Sequence, residues 1–386
     1  MLARASQAAA MVLAMLLALP QAVHGGARAL VIEVGEASPP AAAGLASSAA
    51  SRMRVQQKNE HYEYYCSGDC GAAVPTEKGE GGVVYMGGGT DVAAAFPWLG
   101  QRSAGGQLLV LRTGPSGDDK YDPFILGLGG HSSVATLILK DKTASQSAAP
   151  FIANASSIFF AGGDQSKYWR QWQGTAVQSA VQRRLDAGGV PVGGTSAGDA
   201  VLGSFCNCAL TGSVTSVAAL ADPYDSELSV SGRFLTIPGS AQPSDTINDM
   251  HFVTRDRAGR LLAMMTRLLE DDRVNNASGV VHGIGVDEKT AILALPSGVV
   301  TIAGAGTAYF FQITADTWRV CEQGKPLSVA QVHAYRLDAA TATNQSFDLK
   351  SWRGQGGVPY MFTIENGAYV GGPQTPYGPA KEEQSG

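Results

Sequence analysis

The stretch Gly194-Thr195-Ser196-Ala197-Gly198 sets a serine among small neighbours, after the apolar run VPVGG (190–194) and ahead of the apolar DAVLGSF. A Gly-x-Ser-x-Gly turn between a strand and a helix is strained and closely packed, so its flanks take only tiny side chains. It presents the hydroxyl as a nucleophile for acyl transfer, and the amide of Ala197 would then point into an oxyanion hole. In a chain with 48 glycines among 386 residues, the pattern arises by chance about 0.5 times. The preceding strand is what sets this copy apart.

A serine nucleophile needs a base, and beyond residue 25 the histidines are His61, His131, His251, His282 and His333. His61 falls in a region without periodicity, His131 precedes a strand, His282 shares the loop of VVHGIGVDE, and His333 stands in a strand-like segment. His251 opens DMHFVTRDRAGRLLAMMTRLL, where a polar start leads into a helix with Leu261, Leu262, Met265, Leu268 and Leu269 on its apolar side. That position faces solvent or substrate rather than core. The third member of a triad is a carboxylate that orients the imidazole and stabilises its cation. Glu288, at the head of the strand-like TAILAL, and its neighbour Asp287 both fit, and a solvated turn carboxylate is the alternative for each.

The elements that must position these groups are legible as short apolar runs ended by glycine or a turn: VVYM (83–86), QLLVLR (107–112), VATLILK (134–140), SIFFAGG (157–163) and VPVGG. Continuous rather than alternating apolar strands are required by a sheet covered on both faces by helices. Between the last two, Trp172, Ala176, Val177, Ala180, Val181 and Leu185 recur at helical spacing until Gly188. The expected fold is α/β, a doubly wound, mostly parallel sheet with helices on both faces and a nucleophile elbow. TAILAL, GVVTIAG and TAYFFQI, from about 290, predict an antiparallel C-terminal extension of the same sheet.

Ends and composition bound the rest. Arg4 precedes the apolar AAAMVLAMLLALP (8–20) and small residues near 23–27, the pattern of a secretory signal peptide over 1–25. Residues 26–80 read as an Ala/Ser-rich leader or N-terminal extension, 81–370 as the main domain, and 371–386 as a flexible tail. A formal net charge of −5 without a Lys/Arg-rich run argues against nucleic acid, and no later segment is apolar enough to hold the chain in a membrane once the signal is removed. The expected location is secreted, extracellular or periplasmic. Cys66, Cys70, Cys206, Cys208 and Cys321 suit an oxidising compartment in which two disulfides form and one thiol remains, with the pairing left open. Their spacing fits no zinc ligand set, so no metal and no cofactor is expected. Asn154, Asn276 and Asn344 head Asn-x-Ser sequons.

Four blocks occur in one order: FFAGGDQ, then GGTSAG some thirty residues later, then DMHFVTRDRAGRL, then GIGVDE, with a closing SFDL. From about Gly81 to Leu349 the chain resembles the cyanophycinases and their relatives among the S51 serine peptidases, which include aspartyl dipeptidases. The resemblance implies a fold related to class I glutamine amidotransferases. It makes Ser196 the nucleophile, His251 the general base and Glu288 the carboxylate behind it, with Gly88 joining Ala197 in the oxyanion hole. Gln165 would line the substrate pocket, with Asp249, Arg255, Arg257 and Arg260 as the polar set at the helix opening. Two positions depart from the family pattern: Met250 stands where glutamine is typical, which removes or replaces one substrate contact, and Asp199 stands where alanine is usual.

The function the resemblance implies, with the signal-like N-terminus, is a secreted serine peptidase cleaving aspartyl peptide bonds through an acyl-enzyme. Its substrate is cyanophycin, a poly-aspartate with arginine on each side-chain carboxyl, released as β-aspartyl-arginine, or else short aspartyl peptides. Arginines 255, 257 and 260 would clamp carboxylates, and Asp249 would face a guanidinium. A possible homodimer completes the partners. The competing readings are a catalytically silent exported binding protein and an α/β-hydrolase esterase, whose triad runs in the order Ser, acid, His.

Overall fold

The computed structural model describes residues 29–34, 53–114, 121–274, 279–341, 344–371 and 375–379. The expected signal peptide and Asn276 lie outside the described residues. The chain opens with three strands paired antiparallel in sequence, β1 (Ala29–Val34), β2 (Met53–Lys58) and β3 (Tyr62–Gly68). The α/β part follows as β4 (Val83–Met86), β5 (Leu108–Thr113), β6 (Ser133–Leu139), β7 (Ser157–Phe160) and β8 (Val192–Thr195). These five run parallel in the order β6-β5-β7-β8-β4. Their continuous apolar character has the expected cause. Leu109, Leu111, Ile158 and Phe160 face one buried cluster, and Leu108, Val110, Phe159 and Val84 face another on the opposite side.

Helices cover both faces, so the fold is the expected α/β arrangement. Ala95–Arg102 and Tyr121–Leu128 lie on one side, and Ser145–Ala153, Gln165–Trp172 and Ala176–Asp186 on the other. The helical periodicity read across 172–185 belongs to two helices, because Gly174 at φ +70° breaks the run and Thr175 restarts it.

The part read as a leader is in fact partly built into the sheet. β3 pairs antiparallel with β6 along its whole length, and Tyr62 and Tyr64 pack on Phe151 with ring centroids 5.5 and 4.4 Å apart. Tyr64 and Tyr65 are buried. Covering the edge of β6 requires only local alternation of aromatics, which a glycine- and serine-rich context obscures.

The C-terminal strands also differ from expectation, because they divide between two sheets. β9 (Thr246–Met250) and β10 (Val280–Val286) are parallel and flank the helix Ala258–Glu270. β11 (Thr290–Ala294) and β12 (Val299–Gly304) do extend the first sheet antiparallel from β4. β13 (Thr307–Thr314), which carries TAYFFQI, instead joins β10, followed outward by β15 (Ser328–Asp338), β18 (Val358–Glu365) and β19 (Ala368–Val370). β14 (Arg319–Val320) pairs with β15, while β16 (Ser346–Asp348) and β17 (Arg353–Gln355) close the first sheet, which reaches 12 strands. The second sheet packs its helix through Gly283, where a Cβ would come within 2.4 Å of the Met265 sulfur.

Cys66 bonds to Cys70 and Cys206 to Cys208, leaving Cys321 as a buried thiol. The stretch read as a flexible tail is tied down at 375–379: Tyr377 donates its hydroxyl to Asp256 at 2.7 Å and its ring meets Phe252 edge-on. Among the described residues no helix is long and apolar enough to cross a membrane. Tyr64→Ala is expected to lower stability by about 3 kcal/mol, read from the urea midpoint. A tyrosine in an appended leader would leave the midpoint unchanged.

Candidate active site

The turn after β8 has the strain and crowding that its glycines suggested. Ser196 sits at φ +52°, ψ −117°, outside the regions a side-chain-bearing residue normally adopts. A Cβ on Gly194 would lie 2.3 Å from the Gly198 carbonyl oxygen, and one on Gly198 would lie 2.1 Å from the carbonyl oxygen of Phe160. Both flanking positions must therefore be glycine. The helix that follows is shorter than its apolar sequence suggested, only Ala197–Ala200.

His251 follows directly on β9 and also has a positive φ, +52°, which turns its ring toward the elbow. Its Nε2 lies 2.8 Å from Ser196 Oγ, and its Nδ1 lies 2.5 Å from Glu288 Oε1. With the Nδ1 proton donated to the carboxylate, Nε2 is the free lone pair that accepts the serine hydroxyl. The order along the chain is Ser, His, Glu, with separations of 55 and 37 residues.

The structure also separates Glu288 from its rival. Asp287 Oδ1 accepts from the backbone amides of Val253 and Thr254 and from the Thr254 hydroxyl, so it caps the turn after the histidine. The other histidines are engaged elsewhere: His131 hydrogen-bonds the Phe96 carbonyl, and His282 stacks on Trp352 and pairs with Asp245.

One short segment positions all three groups. The amide of Ser196 donates to the carbonyl of Met86, that of His251 to Gly87, and that of Lys289, next to Glu288, to Gly88. Gly87 and Gly88 cannot be replaced at this convergence. A Cβ on Gly87 would be 2.0 Å from the Asp287 carbonyl oxygen, and one on Gly88, at φ +95°, would be 2.5 Å from the imidazole. Gly88 and Ala197 thus flank the Ser196–His251 contact, and neither amide is used in a loop or turn hydrogen bond among the described residues.

The electrostatics suit a neutral base. Burial lowers the His251 pKa below its ordinary value; the hydrogen bond to Glu288 works against this, and the positive charges of Arg255 and Arg257 add to it. The hydrogen bond from His251 in turn holds Glu288 below the usual carboxylate range.

The polar set beside the histidine is placed differently from expectation. Asp249 has no exposed surface and takes a two-pronged ion pair from Arg260, with Nε to Oδ2 at 2.7 Å and the second nitrogen to Oδ1 at 2.6 Å. Arg257 lies 3.7 Å from the same carboxylate and donates to the Met250 carbonyl at 2.9 Å. A buried carboxylate needs such partners. Asp249, Arg257 and Arg260 are thus joined to one another inside the turn. Arg255 alone of this group is exposed, with Nε 3.9 Å from Glu288.

Met250 is 1% exposed, so the side chain that replaces glutamine points into protein. Gln165 opens the helix Gln165–Trp172 and donates to the Asn207 carbonyl, inside the loop closed by Cys206 and Cys208.

Two further buried polar groups stand out, of which the sequence marks only the first. Asp199 has no exposed surface; Oδ1 accepts from Asn248 at 3.1 Å and Oδ2 has no partner. Arg112, at the C-terminal end of β5, has a buried Nε without a partner. Sequence reading missed the second, for which a charged residue closing an apolar strand was the available signal; the first is the departure that follows Ser-Ala-Gly.

No family model matches the chain. It is 27% identical to a cyanophycinase of Geminocystis herdmanii across 41% of this chain and 49% of that protein. It is 28% identical to one of Trichormus variabilis across 39% and 43%, and 24% identical to one of Synechococcus elongatus across 50% and 54%. The chain thus spans about half the length of the curated relatives it matches. A solved peptidase from an acI-B1 Actinobacterium aligns at a TM-score of 0.42 and 17% identity, covering 62% of this chain and 97% of the other.

Burial holds the Asp199 carboxyl well above the carboxylate range, so the native state keeps a proton that the unfolded chain releases near pH 3.9. The stability this proton contributes is complete below about pH 3.9 and is lost as pH rises toward the native value. Asp199→Asn should therefore raise the Tm most at pH 8, with the gain shrinking toward pH 4. A gain that does not vary with pH would refute the buried neutral acid.

Proposed function

Starting from a chain related to the cyanophycinases, we propose a secreted serine peptidase that hydrolyses peptide bonds at aspartyl residues. The supporting observation is the continuous hydrogen-bonded line from Ser196 through His251 to Glu288 on a strained elbow. Ser196 Oγ attacks the scissile carbonyl carbon as its proton passes to His251 Nε2. Glu288 stabilises the resulting imidazolium. The carbonyl oxygen, now negative, lies between the amides of Gly88 and Ala197, and one such donor contributes about 10²–10³ in rate. The imidazolium then protonates the departing amine, leaving an acyl group on Ser196. Water, deprotonated by the same histidine, attacks the ester and frees the serine.

Cyanophycin or short aspartyl peptides suit a site whose rim carries the exposed Arg255. With Met250 buried, the choice between them rests on other groups. The signal-like sequence at 8–20 supports export, which suits an enzyme acting on a polymer too large to import. The order Ser, His, Glu argues against an α/β-hydrolase esterase.

A fluorophosphonate is expected to label the mature chain and Ser204→Ala, but not Ser196→Ala; Ser204 donates instead to the Pro243 carbonyl. An unlabelled native protein overturns the assignment of Ser196 as an activated nucleophile. Incubation with insoluble cyanophycin and, separately, with Asp-x dipeptides identifies the substrate by the products released.

The lowered His251 pKa has its own readout. The acid limb of kcat/KM should fall below about 6.5, the ordinary histidine value. It should move upward in Arg255→Gln, which removes a charge that opposes the imidazolium.

A further inference from the structure

With Arg257 and Arg260 committed to Asp249, the free side-chain carboxylate of a short aspartyl peptide calls for a further cation beside the exposed Arg255. We propose that Arg112 is that receptor, a specificity-determining residue that hydrogen-bonds the substrate carboxylate while Ser196 attacks the neighbouring carbonyl. The inference rests on the peptidase reading above.

Strand register puts Arg112 in the right row. Leu111 of β5 pairs with Phe160 of β7, and Phe160 pairs with Gly194 of β8. Arg112, Ala161 and Thr195 therefore stand side by side at the C-terminal ends of three neighbouring parallel strands, with Ser196 one residue on. That edge is where open α/β sheets bind ligands. Strands about 4.8 Å apart put the Arg112 backbone about 10 Å from that of the nucleophile. An arginine and a substrate carboxylate together span such a gap.

Arg112 interacts electrostatically with Tyr168, whose hydroxyl donates to the Ala161 carbonyl at 2.6 Å. The loop beginning at Ala161 then runs past the nucleophile: a Cβ on Gly162 would be 3.6 Å from Ser196 Cβ, and one on Gly163 would meet nothing within 4 Å. Arg112 and Ser196 thus stand on the strand ends to either side of this loop, and a side chain at Gly163 would meet open space.

Arg112 also lacks an internal counter-ion. Among the described residues it enters no ion pair, and its Nε is buried without a hydrogen-bond partner. A partly buried cation left unpaired is costly, and a ligand carboxylate held by paired hydrogen bonds removes that cost.

The test separates this assignment from the nucleophile itself. In Ser196→Ala, calorimetry compares binding of an aspartyl peptide with its asparaginyl counterpart, and the same pair is measured in Ser196→Ala/Arg112→Met. The expected preference for aspartate is about tenfold or more, abolished by Arg112→Met and partly restored by Arg112→Lys. Fluorophosphonate labelling of Arg112→Met, with Ser196 intact, should proceed at the native rate, which also reports a folded site. Equal binding of the two peptides by Ser196→Ala, or a preference that survives Arg112→Met, overturns the role of Arg112. Absence of labelling in the native chain overturns the peptidase reading instead, and the binding preference still reports on Arg112. If Arg112→Met fails to fold, Arg112→Lys carries the test through a weakened preference at a native labelling rate.

Discussion

The site depends on three consecutive carbonyls at the end of one strand. Met86, Gly87 and Gly88 accept amides from the elbow, from the histidine and from the residue beside Glu288, so segments far apart in sequence meet on one piece of backbone. Each bond is an ordinary peptide hydrogen bond, worth about 1 kcal/mol net. Their combined effect is geometric. The side chains of Ser196, His251 and Glu288 are brought into line because their backbones share one support, and the glycines at 87 and 88 are required because the converging chains leave no room for a Cβ. β4 can play this part because it pairs with β8 on one side and β11 on the other, which fixes it within the sheet.

Around that support, charge is organised as framework first and recognition second. Arginines beside His251 invite the reading that they bind substrate, yet Asp249 lies on the strand that delivers the histidine and is fully buried. A buried carboxylate attracts whatever cations can reach it, and Arg260, from the first turn of the next helix, reaches it with two prongs. The pair locks strand, turn and helix together around His251. The exposed Arg255, beside Glu288 on one rim, and Arg112, which enters no ion pair among the described residues, remain for a ligand.

The peripheral elements serve the same end. Tyr377, from beyond the last strand, hydrogen-bonds Asp256 and packs on Phe252, bracing the turn that follows the histidine. The antiparallel strands before residue 70 cover the edge of β6. The second sheet holds β9 against β10, which aligns the histidine with the segment carrying Glu288.

By itself the sequence determined whatever depends on neighbours along the chain. Continuous apolar runs set the five parallel strands, because burial on both faces demands them, and the crowded elbow set Gly194 and Gly198 around Ser196. The placement of the motifs, together with the family resemblance, singled out His251, with Asp287 and Glu288 as the carboxylates beside it. Tertiary structure decided what depends on contacts between distant segments. It separated Glu288 from Asp287 by the hydrogen bonds each makes, turned Asp249, Arg257 and Arg260 inward, placed Met250 and Asp199 in the interior, and brought Arg112 to the edge that carries Ser196. The reason is physical. Periodicity and steric exclusion are properties of a short stretch of chain, whereas the partner of a charge is fixed only when burial removes water and leaves one group within reach.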